Sequence, residues 1–339
     1  MKKLKIAAIG TEHRHIFGQL KGMLDLGCEC VGWWNDGDNK ITDDFEEKYP
    51  TIKREMDKNN LLSNPEIDLV LIADIPSKRA NLAIECMEAG KDVMLDKPGC
   101  TSLEQLKRIE QTVLKTKRIF SIDFSERFEV PSVQVAYDLI QKGEIGNVVQ
   151  TIGMGPHRLN LPTRPEWFFD YEKYGGILCD IASHQIDQFL FFTGSTQAEI
   201  ISSSTGNFAH PQFPKFEDFG EILIHGDKGR GYIRVDWYTP DALPNWGDGR
   251  LTIIGTEGYI ELRKYVDVVG RDGTDHIFLV NKEKYEYINA SSKPLTYFQR
   301  LMNDVIERTS TAMQQDHCLK VMNLAINAQL NAKKMGNLK

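Results

Sequence analysis

At 339 residues the chain exceeds what one ordinary hydrophobic core fills, so two domains are expected. With 41% hydrophobic and 26% charged residues its composition is that of a globular protein, and no apolar run approaches the ~18 residues of a membrane span, which excludes a membrane protein. Acidic residues outnumber Lys plus Arg by 48 to 41, and no helix pattern carries a sustained basic face, which argues against nucleic acid as a partner.

In chain order, Leu4–Ile9 reads as a strand running into Gly10, followed by a helix with apolar positions Ile16, Phe17, Leu20, Met23 and Leu24 that Gly27 stops. The apolar stretch Ile6–Ile9 is too short for a signal peptide, and a cytoplasmic location is expected. A strand over Glu29–Trp34 precedes a polar helix near Thr42–Lys48 and a short helix ending near Leu62. Leu69–Ala73 reads as a strand buried on both faces. A helix over Lys78–Glu88, a strand over Val93–Leu95 and a helix over Ser102–Leu114 follow, and Ile119–Ile122 is counted as a sixth strand. This alternation predicts a Rossmann-like, doubly wound parallel sheet over residues 1–123.

From 124 to 339 the grammar changes. Helices are expected at Ser132–Gln141 and Gly176–Phe192, and a strand at Val148–Met154. Segments at Glu199–Ser204, Glu221–His225, Gly231–Trp237, Arg250–Ile254, Tyr259–Leu262 and Ile277–Val280 then succeed one another without intervening helices, predicting a large, mostly antiparallel open sheet in an α+β domain. Helices over Pro294–Arg308 and Gln314–Lys334 finish the chain. No low-complexity linker separates the halves, so a substrate cleft is expected along their interface. The six cysteines lack C-x-x-C spacing and read as reduced thiols.

A dinucleotide fingerprint needs spaced glycines after the first strand, for the turn, for the pyrophosphate and for helix packing. The loop Gly10-Thr11-Glu12-His13-Arg14-His15 keeps only the first. Glu12 would repel a pyrophosphate unless it turns away, and His15 fills the third position, while Arg14 and the helix N-terminus favour an anion. Gly18 and Gly22, four apart, would permit close helix packing. Asn35-Asp36 ends the second strand, where a carboxylate can accept the ribose hydroxyls, and the first basic residue afterwards is Lys40, so NAD is expected in preference to NADP. A simple turn at Asn35-Asp36-Gly37 is the alternative. No metal is expected, since His13, His15, Asp180 and His184 show no zinc-like spacing across two domains.

Two segments carry more: Asp96-Lys97-Pro98 after a strand, and Gly175-Gly176-Ile177-Leu178-Cys179-Asp180-Ile181-Ala182-Ser183-His184 in the second domain. With Ala89-Gly90-Lys91-Asp92-Val93, Arg127-Phe128 and Gly255-Thr256-Glu257-Gly258, they resemble the Gfo/Idh/MocA family of sugar and cyclitol oxidoreductases over nearly the whole chain. The resemblance implies hydride exchange between a nicotinamide and a secondary alcohol or its ketone. Asp96 stands where the family usually has Glu, and Arg79 where many members carry His.

Asp180 and His184 at i and i+4 project from one helix face, with Asp187 a turn further on. Loss of a hydride from a carbinol carbon requires loss of the hydroxyl proton too, which a near-neutral imidazole can take. His184 is thus the expected acid/base, Asp180 its orienter or a holder of a neighbouring hydroxyl, and Lys97 the donor to the reacting oxygen. Ala73, Asp74, Asp96 and Lys97 are expected around the cofactor, and Arg127, His157, Arg164 and Trp167 around a sugar-like substrate, although Trp167 is equally readable as core. The competing functions are a glycoside-cleaving enzyme using transient oxidation and a ligand-binding or regulatory protein without cofactor. The open second-domain sheet is expected to pair copies into a homodimer or homotetramer.

Overall fold

Apolar runs bounded by glycines and turns form the strands of the first sheet: β1 (Lys5–Ile9), β2 (Glu29–Trp34), β3 (Leu69–Ile72), β4 (Asp92–Asp96) and β5 (Phe120–Asp123). The structure, a computed structural model, describes residues 3–336; the outermost residues of the two expected domains, 1–2 and 337–339, lie outside the described residues. The strands order as β2-β1-β3-β4-β5, every pair parallel. β3 and β4 are buried along their whole length, as strands covered on both faces must be. Helices α1 (His15–Asp25), α2 (Lys40–Lys48), α3 (Asn59–Leu62), α4 (Pro76–Glu88) and α5 (Leu103–Thr116) connect them. Asn39 and Thr42 form a capping box on α2, Pro76 opens α4, and Ser102 Oγ accepts from the Gln105 N–H of α5 at 3.2 Å.

Among the described residues the sheet has five strands, not six, and Phe120–Asp123 is its fifth. Between α2 and α3 the chain meets β2 only at the isolated bridge Trp33–Arg54. Lys53-Arg54-Glu55 has no apolar alternation to bury, so pairing stops after the backbone bonds Trp33 N to Lys53 O (3.0 Å) and Glu55 N to Trp33 O (2.8 Å).

Among the described residues the second sheet has nine strands: β6 (Val148–Pro156), β7 (Ala198–Gly206), β8 (Phe219–Gly226), β9 (Arg230–Asp236), β10 (Arg250–Gly255), β11 (Gly258–Arg263), β12 (His276–Asn281), β13 (Tyr285–Asn289) and β14 (Lys333–Lys334). Their order is β13-β12-β11-β10-β6-β9-β8-β7-β14, antiparallel except for β6 with β9 and β7 with β14. Sequence patterning misses β13 and β14. The later helices are α6 (Ser125–Phe128), α7 (Pro131–Gln141), α8 (Tyr171–Tyr174), α9 (Ile177–Asp180) and α10 (Ala182–Thr193), with α11 (Tyr297–Glu307) and α12 (Gln315–Leu330) between β13 and β14 in the chain. Val133 and Ala136 of α7 join Leu251, Ile253, Ile260, Leu262, Ile277 and Leu279 in one core. α10 packs on β6, β8 and β9. It approaches closely because Gly153 has no side chain: a Cβ there would lie 2.8 Å from Gln185 Oε1.

The helix expected over Gly176–Phe192 is broken at Ile181 into α9 and α10. The Ser183 hydroxyl donates to the Asp180 carbonyl at 2.8 Å and competes for it with the helical ladder, while the His184 N–H bonds three residues back to Ile181 O at 3.1 Å. Gly176 precedes the break at φ 88°, and a Cβ on it would lie 2.2 Å from the Gln329 amide carbon. Glu217 and Gln329 cap α9 by accepting from the Ile177 and Leu178 N–H groups at 3.0 and 2.8 Å.

By contact the chain divides into a first unit of Met1–Asp123, Glu172–Gly175 and Thr296–Met322 and a second of Phe124–Tyr171, Gly176–Leu295 and Asn323–Lys339. In the first, Gly22 of α1 faces the Phe298 ring of α11, where a Cβ would come within 2.5 Å, whereas Gly18 is exposed. Tyr297 Oη and Ser121 Oγ lie 2.8 Å apart, and Gln315 Oε1 accepts from the Phe120 N–H at 2.7 Å. No described helix is long and apolar enough to cross a membrane.

Candidate active-site clusters

In the first unit the strand order reverses between β1 and β3, and the loop Gly10–Arg14 runs over that switch point. Gly10 has φ 80°, donates to Trp34 O at 2.8 Å and accepts from the Ala73 N–H at 3.1 Å. The His13 N–H bonds back to Ala73 O at 2.8 Å. A Cβ on Gly10 would lie 2.6 Å from the Asp74 Cβ, so the first fingerprint glycine makes room for a protein side chain. Thr11 is buried and its N–H donates to Asn35 Oδ1 at 2.7 Å.

Glu12 is held by two amides: its Oε1 accepts from Asn35 and Asn39 Nδ2 at 2.8 and 2.7 Å. Arg14 does not stand free for an anion, because it is paired with Asp44 of α2. Asp36 is exposed and carries Lys78 Nζ at 3.0 Å, so a cation 42 residues away reaches the carboxylate that local sequence left without one. Asp74 is buried, and burial first, with the Glu12 charge adding, pushes its carboxyl up to about 6 against the Ile75 N–H, Lys78 and Arg79.

Asp96, at the end of β4, gathers the remaining residues. Its Oδ2 takes Arg79 Nη2 at 2.8 Å and lies 3.0 Å from His13 Nδ1; its Oδ1 lies 2.8 Å from His15 Nδ1. Asp96 and Arg79 are each 1% exposed, while the His15 side chain is 43% exposed. Arg79 also donates through Nε to Asp74 O (2.7 Å) and through Nη1 to the Lys97 and Pro98 carbonyls, the latter at 3.1 Å. The two departures from the family pattern are thus one buried ion pair, which clamps the turn holding Lys97. Burial opposes ionisation of Asp96, but Arg79 and then His15 and His13 hold its carboxyl well below the usual range. Burial, aided by the His15 charge, lowers the His13 imidazole to about 4.

In the second unit, Asp180 and His184 are 8% and 2% exposed, and α10 buries Ser183, Gln185, Asp187 and Gln188 as well. Asp187, a turn further on, holds a cation. Both of its oxygens hold Arg127, at 2.7 and 2.8 Å, and the guanidinium lies over Phe128 and Phe191, so the residue expected at the substrate is part of a buried ion pair. Arg164 lies over Phe168 and Trp237, donates to Leu159 O at 2.7 Å and feels the charge of Asp180. Trp167 is 7% exposed, its ring 6.0 Å from that of Phe168. His157 Nδ1 lies 3.0 Å from Gly155 O, its ring against Trp246 and Trp237.

Sequence reasoning missed Glu126 and Lys264. Their side chains are 3% and 0% exposed, and Glu126 Oε2 accepts from Lys264 Nζ and Gln185 Nε2, each at 2.8 Å. Burial opposes its charge, but Lys264, and then His184 and His157, hold Glu126 below the usual carboxylate range. Glu126 adjoins the Arg127-Phe128 motif, but no local pattern points to Lys264, which comes from 138 residues further on.

Residues 22–124 match the model of an oxidoreductase family with an NAD-binding Rossmann fold, and 133–261 match the GFO/IDH/MocA C-terminal domain. A candidate oxidoreductase of Erwinia carotovora atroseptica SCRI1043, known from its crystal structure, is 44% identical over 98% of this chain and 100% of its own, with a TM-score of 0.96. The oxidoreductase YrbE of Bacillus subtilis, itself uncharacterised, is 26% identical over 71% of this chain. The scyllo-inositol 2-dehydrogenase (NAD(+)) of the same organism is 29% identical over 60%. The chain spans 65% and 57% of the lengths of these two relatives. With the fold, the Asp96-Lys97-Pro98 turn and the Gly-Gly helix start all in the matched regions, the chain belongs to the Gfo/Idh/MocA family, and its first unit holds that family's NAD-binding Rossmann domain.

Proposed function

We propose that this chain is an NAD(P)-dependent dehydrogenase or reductase acting on a secondary alcohol, or its ketone, of a sugar, sugar acid or cyclitol. The observation that carries the reading is the buried clamp on Lys97: Arg79 holds the Lys97 carbonyl and Asp96 together at the carboxyl end of β4. The likeness to scyllo-inositol 2-dehydrogenase supports the polyol class. The loop also suits a dinucleotide, because Glu12 is turned toward Asn35 and Asn39 and the Arg14 side chain makes no cap hydrogen bond at the N-terminus of α1.

The nicotinamide, when bound, supplies the hydride acceptor or donor. His184 takes the hydroxyl proton in oxidation and returns it in reduction, Asp180 orients the imidazole or a neighbouring hydroxyl, and Lys97 donates to the oxygen as it gains negative charge. Asp36 accepts the ribose hydroxyls and favours NAD, with Lys78 softening the choice. Arg164, beside Asp180, is the cation of the substrate-holding set.

The open face of the second sheet presents Tyr259, Tyr285 and Tyr287, which are 43%, 89% and 40% exposed, and a second copy is the partner that would cover it. A solution mass of monomer alone would contradict that.

Calorimetric titration with NAD, NADH, NADP and NADPH, alongside a Lys97→Ala, His184→Ala variant, tests the main reading. Binding of one redox pair, retained in the variant while turnover of a polyol panel disappears, is the expected result. Absence of dinucleotide binding would overturn it in favour of a ligand-binding protein.

A further inference from the structure

His13 and His15 flank one residue of the loop, and sequence spacing offers them no third ligand. The fold brings one from 81 residues away: Asp96 Oδ1 lies 2.8 Å from His15 Nδ1, and Oδ2 lies 3.0 Å from His13 Nδ1. One donor atom from each of the three residues falls within 4.8 Å of the others. We propose that His13, His15 and Asp96 form a divalent transition-metal site, of the class that takes zinc or cobalt.

Two imidazole nitrogens and one carboxylate oxygen are the donor set such ions favour, with Zn–N and Zn–O bonds of about 2.0–2.2 Å. Ligand atoms around a tetrahedral ion are then about 3.3 Å apart, so small outward movements of these side chains make room for it. The carboxylate is already fixed. Arg79 holds Oδ2 from behind and is itself anchored on the Asp74 and Pro98 carbonyls at 2.7 and 3.1 Å, the arrangement by which outer groups orient a ligand. Each imidazole presents Nδ1 to the ion when its proton resides on Nε2, so a neutral ring binds without releasing a proton.

The site is open on one side, where the His15 side chain is 43% exposed. Arg79 cancels the charge of Asp96, so the charge of the ion is left for the water-facing position, which favours an anionic oxygen there. This gives the loop, with Glu12 and His15 in place of two fingerprint glycines, a cation at its open side.

The test uses full-length, tag-free protein stripped by a chelator and titrated with Co²⁺ and Zn²⁺ by calorimetry, with the Co²⁺ form followed by visible absorption. One ion per chain is expected, with Co²⁺ bands of a nitrogen- and oxygen-ligated site. His13→Ala and His15→Ala should each weaken binding by more than the ~10–100-fold typical of an outer-shell change. His225→Ala, on β8, controls for surface histidines and should bind like wild type. Because His15 is half-exposed, its alanine variant folds and decides the matter even if His13→Ala does not. Absence of saturable binding, or unchanged affinity in His15→Ala, would overturn the proposal. Neither readout depends on dinucleotide binding or turnover, so this outcome is separate from that of the proposed function.

Discussion

Replacing Arg79 with methionine keeps the apolar stem and deletes the guanidinium that meets Asp96, the Asp74 carbonyl and the carbonyls of Lys97 and Pro98. Asp96 is 1% exposed, so the variant leaves a buried carboxylate with two imidazoles to answer it. Removing one partner of a buried ion pair costs about 3–5 kcal/mol, against ~1 kcal/mol or less for an exposed pair. At about 1.4 kcal/mol per tenfold, that is roughly two to four decades of protection in hydrogen exchange, limited by global stability. The loss should fall on β3, β4 and the start of α4, and peptides of the second sheet should not change. Adding Asp96→Asn removes the stranded charge, so the double variant should be less destabilised than the sum of the two singles. A loss below ~1 kcal/mol, or additive singles, would refute the view that the pair is a desolvated clamp.

Asp74 bears on pH dependence. Its carboxyl is raised from 3.8 to about 6, so between those values the folded chain holds a proton that the unfolded chain has released. Stability should therefore fall by ~3 kcal/mol as pH rises from about 4 to 6 and level off above, and urea unfolding across that range should show a shallower fall in Asp74→Asn. Gly10→Ala combines φ 80° with a Cβ 2.6 Å from that of Asp74; a stability loss of ~1–3 kcal/mol and weaker dinucleotide binding are expected, measured by denaturation and calorimetry. Lys78→Ala unmasks Asp36, and NADP should lose ~3–10-fold in affinity relative to NAD; an unchanged ratio would remove Asp36 from the ribose site. His184→Ala should lower turnover ~10²–10⁴-fold with cofactor affinity intact, whereas a purely structural histidine would lower stability instead.

Local pattern decided the class of each half. Strands buried on both faces alternate with helices, the pattern of a doubly wound parallel sheet, and the closely spaced strands from Ala198 onward pair as sequence neighbours except where β6 lies between β9 and β10 and β14 joins β7. Motif residues were legible too, because Gly10, Lys97, Asp180 and His184 stand in short segments whose spacing survives in one dimension. Some local features were ambiguous: Lys53-Arg54-Glu55 lacked the alternation to extend a strand, and the Ser183 hydroxyl broke a helix that periodicity drew as continuous.

The partners of those residues were beyond the reach of pattern, since buried charges are matched by whatever the fold brings near. Asp96 found Arg79 at 17 residues' distance and His15 at 81, Arg127 took Asp187 at 60, and Glu126 took Lys264 at 138. Each buried charge must be answered by an opposite charge or a hydrogen bond, but burial itself is a property of the packed chain. Hence the residue types and their strands and helices were readable in advance, while the pairing that turned two odd substitutions into a clamp, and three polar side chains into a candidate metal site, existed only after folding.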